Sequence, residues 1–184
     1  VSRVGTASLA GHQIMMQLWN FMSPILDSLA IAAQSLTGAA LGAGSARHAR
    51  SVGSKVALYS TIFSGLLAAV FAAGAGIIPR IFTSAPEVLD AISKPWWILV
   101  AMVIGGGVVF AFDGVLLGAG DAAFLRTLTI SSVLVGFLPG VILAHFMGTG
   151  LTGVWCGLAA FIAFRMVGVV HRFRSMKWAV VQKR

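Results

Sequence analysis

Five stretches of mainly apolar residues, each about twenty residues or longer, leave this chain very little choice of fold. They run over about 7–42, 54–78, 96–118, 125–147 and 151–171 of the 184 residues. Each is long enough to cross roughly 30 Å of bilayer hydrocarbon as a helix, at about 1.5 Å per residue. In lipid every backbone amide must be satisfied internally, which leaves helices or a closed barrel, and the alternating pattern of barrel strands is absent. Composition agrees, with 58% of residues hydrophobic and 10% charged, against about 25% charged in a soluble domain. The expectation is an all-α integral membrane protein, a five-helix polytopic bundle making a single transmembrane domain over residues 1–184. Nothing indicates an enzyme or a bound cofactor or metal. There is no G-x-S-x-G, no H-E-x-x-H and no zinc spacing, and the one cysteine, Cys156, reads as a small buried hydrophobe. The net charge of +8 lies mostly in short loops and the tail, where it orients spans rather than binding nucleic acid.

Leu9–Leu41 is the unusual stretch, roughly 50 Å long if it forms one helix. Gln13, Asn20, Asp27 and Gln34 recur every seven residues and so share one stripe, with Ser23 and Thr37 beside it. Pro24 predicts a kink in mid-stretch. Breaking the span there into a hairpin would make six spans, but its halves of about 17 residues are marginal for crossing. Asp27 falls one turn beyond Pro24, near mid-membrane, where an ionisable side chain is costly and marks function by default. The competing reading is a polar seam that only glues helices together. A second acid, Asp113, lies near the end of its span with Arg126 or Arg165 as prospective partners. Arg165 itself reads as snorkelling toward headgroups. His12 and His145 read as hydrogen-bonded residues near the span ends.

Arg47, His48, Arg50 and Lys55, then Arg126, then Arg172, Arg174, Lys177, Lys183 and Arg184 assign the loops after spans one and three, and the tail, to the cytoplasmic side. The N-terminus then lies outside, Trp96 and Trp97 mark the outer interface, and Trp178 rests on inner headgroups. With no signal pattern in Val1-Ser2-Arg3-Val4, an exported N-terminus predicts one preceding helix beyond this sequence. Leu41-Gly42-Ala43-Gly44-Ser45-Ala46, followed by Arg50, repeats as Leu117-Gly118-Ala119-Gly120-Asp121-Ala122, followed by Arg126. A glycine ending one helix in a left-handed conformation, then Ser45 or Asp121 capping the next, explains the pattern. Repeated units of this kind occur in transporters. Gly105-Gly106-Gly107 marks a place where helices approach closely.

Taken together, Ala10-Gly11-His12-Gln13-Ile14, Leu26-Asp27-Ser28-Leu29-Ala30-Ile31-Ala32-Ala33-Gln34, Leu41-Gly42-Ala43-Gly44, the run from Phe112-Asp113-Gly114 to Gly120-Asp121, and Gly150-Leu151-Thr152-Gly153-Val154-Trp155 resemble the C-terminal half of the multidrug and toxic compound extrusion (MATE) transporters, especially the DinF-like branch. The resemblance covers nearly the whole chain. It implies a lobe of a twelve-helix, two-lobe protein that exports organic or xenobiotic compounds in exchange for protons or sodium ions. The five spans would be helices eight through twelve, with helix seven and the N-terminal lobe, which carries a key coupling aspartate in this family, absent. A small organic substrate, the bilayer and that missing lobe are the implied partners, and a multi-pass place in the plasma membrane is the implied location. Asp27, Gln34 and Asp113 carry over as cavity or coupling residues, and Asn20 and Gln13 join them from the stripe. Two alternatives stand beside this reading: a structural or partner-binding helical bundle, and a lipid-linked sugar flippase of the same superfamily, whose cavity would be arginine-rich where this stripe has none.

Overall fold

The computed structural model describes residues 5–180, and every regular element among them is helical. α1 is Thr6–Gly42, α2 Ala46–Ala73, α3 Ile78–Phe82, α4 Pro86–Ser93, α5 Pro95–Gly118, α6 Ala122–Ser132, α7 Leu138–Phe146 and α8 Gly150–Ser175. A π-helical turn over Val133–Phe137 joins α6 to α7. Counting that rod as one, five helices are long and apolar enough to cross a membrane. The expected all-α bundle is the fold observed. Val1–Val4 of the signal reading, and Lys183 and Arg184 of the basic tail, lie outside the described residues.

α5 is the centre of the bundle: 56% of its apolar stretch is buried, against 22–28% for the other four. α1, α2 and α8 all pack on it, and the three successive glycines each face a different one. A Cβ on Gly105 would meet Ile162 Cγ2 of α8 at 3.1 Å, one on Gly106 would meet Leu26 Cδ1 of α1 at 3.3 Å, and one on Gly107 would meet the Ser60 carbonyl oxygen of α2 at 3.0 Å. Ser60 Oγ also donates to the Gly107 carbonyl oxygen at 2.7 Å. Such an interhelical bond contributes about 0.6 kcal/mol in lipid, so close packing by small residues carries more of this contact than the bond does.

α1 is one-sided. Ile14, Met15, Leu18, Met22, Leu26, Ala30, Ala33, Thr37 and Ala40 recur at steps of three and four and are buried. The helix runs unbroken through Pro24, which excludes the hairpin of two short spans. Both copies of the repeat make the same backbone turn. Gly44 and Gly120 take φ of +81° and +80°, and the amides of Ser45 and Asp121 reach back to the carbonyls of Ala40 and Leu116 at 3.1 and 2.9 Å. Ser45 caps α2 as expected, accepting from the His48 amide at 3.2 Å. Asp121 does not cap α6. Its carboxylate instead accepts from Arg172 Nε at 2.6 Å and Nη2 at 3.2 Å, because α8 brings a full charge within reach.

Several boundaries differ from the expected spans. α2 begins at Ala46 rather than 54, because Ser45 caps it, so Arg47, His48, Arg50 and Lys55 lie on its first turns rather than in a loop. It ends at Ala73 with Gly74 following, while Pro79 starts the short α3 instead of closing the span. The fourth helix runs Ala122–Phe146 and the fifth continues to Ser175. The π turn is explained by Pro139, which cannot donate to the carbonyl four residues back and whose ring crowds that carbonyl. Leu138 accordingly donates to Val133, five residues back. Two tryptophans are also placed differently. Trp96 is buried, with Nε1 donating to the Phe71 carbonyl oxygen at 3.1 Å, and only Trp97 is exposed. Trp178 turns back through left-handed Met176, stacks on Phe173 with centroids 5.4 Å apart and donates to the Phe173 carbonyl at 2.9 Å. Its indole packs into the protein at the C-terminal end of α8 rather than resting on headgroups, since burial there satisfies both its ring and its N–H.

Candidate functional site

The outward face of α1 carries the candidate site. Gln13, Asn20, Asp27 and Gln34 are all exposed on it, and among the described residues none has a side-chain hydrogen bond or ion-pair partner. The heptad spacing does what it predicts, setting four polar groups in line on a helix whose other face is core. Thr37, expected beside this stripe, is buried and its Oγ1 lacks a partner. Ser23 is half-buried. The difference is rotational: a step of three from Gln34 turns Thr37 inward.

Behind the stripe, α5 comes into backbone contact with α1. A Cβ on Gly114 would overlap the Ala30 carbonyl oxygen, and one on Gly118 would overlap the carbonyl oxygen of Gln34. Gly114 and Gly118 are four apart and form one small-residue strip, the packing that lets membrane helices touch. Asp113 is next to Gly114 on this interface, and Asp27 lies about one helical turn before Ala30. The two acids therefore flank one helix interface, that of Gly114 with Ala30.

Asp113 is nevertheless in a different state. Its Oδ2 accepts from Arg165 Nη2 at 2.8 Å and from Nε at 3.2 Å, while its Oδ1 is buried without a partner. The side chains of Arg165 and Asp113 are 15% and 16% exposed. Arg165 Nη1 also donates to Thr129 Oγ1, which itself donates to the Leu125 carbonyl at 2.8 Å. Arg165 thus does not snorkel to the surface, because a carboxylate and a hydroxyl stand within reach at its own depth and complete its donors there. Of the two prospective partners, Arg165 is paired and Arg126 is exposed. Thr129 was not legible as part of the site. The only hint is a hydroxyl on the helix joining the two charges.

Other polar side chains also depart from expectation. His12 Nδ1 is buried without a hydrogen bond, its ring edge-on to Trp155 with centroids 6.1 Å apart. Trp155 Nε1 is likewise unpartnered, and its ring borders a cavity of about 100 Å³ with Met16, Trp19 and Met102. His145 is exposed beside Phe146. Cys156 is exposed, not buried, because Trp155 and Gly157 on either side of it take the inward face of α8. Among the described residues no group of three or more His, Cys, Asp or Glu could hold a metal.

Residues 1–142 match the MatE family. The chain is 32% identical to Protein DETOXIFICATION 44, chloroplastic, of Arabidopsis thaliana, over 97% of this chain and 35% of that protein. It is 25% identical to the probable multidrug resistance protein NorM of Thermotoga maritima, over 95% of this chain and 38% of that protein. Its fold matches the crystal structure of a eukaryotic MATE transporter, AtDTX14, with a TM-score of 0.88 at 20% identity, covering 94% of this chain and 39% of that one. The chain therefore spans about a third of the length of these proteins.

Proposed function

The chain belongs to the MatE family, and from that premise we propose that it forms the C-terminal lobe of a two-lobe exporter of the DinF-like branch, whose other lobe lies outside these residues. The lobe takes part in moving organic or xenobiotic compounds across the plasma membrane in exchange for H+ or Na+. Its N-terminus lies outside and its C-terminus is cytoplasmic. The open stripe of α1 faces the cavity between the lobes. Asp27 is the cation-coupling carboxylate, Gln34, Asn20 and Gln13 line the route of the cargo, and Asp113 stands behind them. Relatives named for detoxification and for multidrug resistance support this reading.

One observation carries the proposal: Asp27 is exposed in the middle of a membrane-crossing helix and, among the described residues, is without an ion pair. A charge at that depth persists only beside water, a counter-charge or a partner surface. The test is Asp27→Asn in the complete protein, expressed in drug-sensitive cells. Insertion is expected to be unchanged and export lost, whereas full drug resistance with asparagine in place would reject the role. The backbone contacts at Gly114 and Gly118 favour a second reading, a purely structural bundle. That reading predicts normal function in Asp27→Asn and loss of assembly when side chains are placed at Gly105–Gly107.

A further inference from the structure

We propose that the cavity between α3, α4 and the start of α5 is a seat for one anionic phospholipid, whose phosphate lies on Arg80 and whose first acyl methylenes fill the floor. The inference goes beyond the role given to Asp27 and does not rest on it.

The cavity has a volume of about 320 Å³. Its floor is apolar: Ile92 and Trp96 are buried and Leu89 is half-buried. Its rim is exposed and carries Gly76, Arg80 and Trp97. Trp96 and Ser93 spend their donors on the carbonyl oxygens of Phe71 and Asp90. The side-chain donors left for an occupant are the Arg80 guanidinium and the Trp97 indole N–H, both at the rim. Arg80 makes no ion pair among the described residues, and neither acid of α4, Glu87 or Asp90, lines the cavity. An apolar floor beneath an unneutralised cation matches an amphiphile with an anionic head.

The position along the bilayer says which amphiphile. α2 presents Leu58, Ile62, Leu66 and Val70, at steps of four, as an exposed apolar face. Exposed Lys55 bounds that face at one end, and the last residue of the helix, Ala73, lies about 27 Å further on, close to the thickness of bilayer hydrocarbon. The cavity follows within a few residues of Ala73, and Ile77, Ile81 and Phe82, on the same segment as Arg80, are also exposed. Arg80 and Trp97 therefore stand at the headgroup level, where arginine and indole groups are favoured. The face of α2 leading to them is open to acyl chains. A soluble anion would use the arginine but gain nothing from the floor.

The test titrates dioleoylphosphatidylglycerol or dioleoylphosphatidylcholine into the complete protein in detergent and reads the first lipid bound by native mass spectrometry. The wild type should prefer the anionic lipid. Arg80→Gln should weaken that lipid about fivefold or more, the worth of one basic side chain at a lipid surface, and leave phosphatidylcholine unchanged. Gly76→Leu fills the rim, where a Cβ meets nothing within 4 Å, and should weaken both lipids. Both positions are exposed, so both variants are expected to fold; should one fail to, the other decides. Arg126→Gln, exposed beyond the opposite end of α5, should change neither lipid. Equal wild-type affinity for the two lipids overturns the proposal. So does a loss with Arg126→Gln as large as with Arg80→Gln, which would mean that net charge and not the cavity holds the lipid. Undiminished binding in Gly76→Leu would place the lipid on open surface and also overturn it. Displacement of the lipid by an equal concentration of glycerol 3-phosphate would show a site for free phosphate instead.

Discussion

The α1 face around Asp27 and the α5 face around Asp113 hold the same functional group on either helix of an interface closed by Gly114 against Ala30. On α1 the carboxylate is exposed, flanked by other polar groups in line with it, and unpaired. On α5 it is largely buried and clamped on one oxygen by an arginine. The contrast separates two uses of charge in a membrane protein. One acid has no side-chain partner among the described residues, while the other is bonded to a neighbouring helix. An identical residue type at similar depth therefore says little about role until its partner is known.

The largest way to break the contrast is to pull the two faces apart. Gly114→Ile sets a branched side chain into the Ala30 backbone, where there is no flexible atom to yield. We expect a loss of about 3 kcal/mol or more, or no folded protein at all, read by thermal melting in detergent. Next comes Asp113→Ala, which leaves the Arg165 guanidinium buried with only Thr129. The expected cost is about 3 kcal/mol, and a change of less than 1 kcal/mol would show that the pair is not load-carrying. Asp121→Asn, at the pair whose arginine, Arg172, is the more exposed of the two, should cost at most about 1 kcal/mol and less at high salt. The smallest stability effect is expected for Asp27→Asn, with a melting temperature unchanged within error. If Asp27→Asn instead melted as low as Asp113→Ala, Asp27 would be structural and the contrast would collapse.

Much of this was legible before any coordinates. Apolar length alone specified the five crossing helices, and the seven-residue spacing specified which side chains of α1 would line up. The glycine triplet announced close approach. What the sequence left open depends on how helices are rotated against one another. Arg165 lies about three turns from the end of α8, a depth compatible with reaching headgroups or with reaching inward, and only the facing of α5 and α6 decides. The same ambiguity moved Thr37 inward and Cys156 outward, each a single step around its helix. Trp178 was misjudged for another reason: the chain reverses at Met176, a non-glycine residue with φ of +56°, and no local pattern signals that turn. Charge and composition could not tell a ring lying on lipid from one plugged into the protein.

Since Gly105, Gly106 and Gly107 each look at a separate neighbour, consecutive positions report on separate seams. Alanine introduced at each in turn would act as a wedge driven between α5 and α8, then α1, then α2. If only the α1 wedge impaired transport while all three lowered the melting point, the seam between α1 and α5 would be identified as the joint that moves during the cycle, and the other two as the fixed frame it swings on.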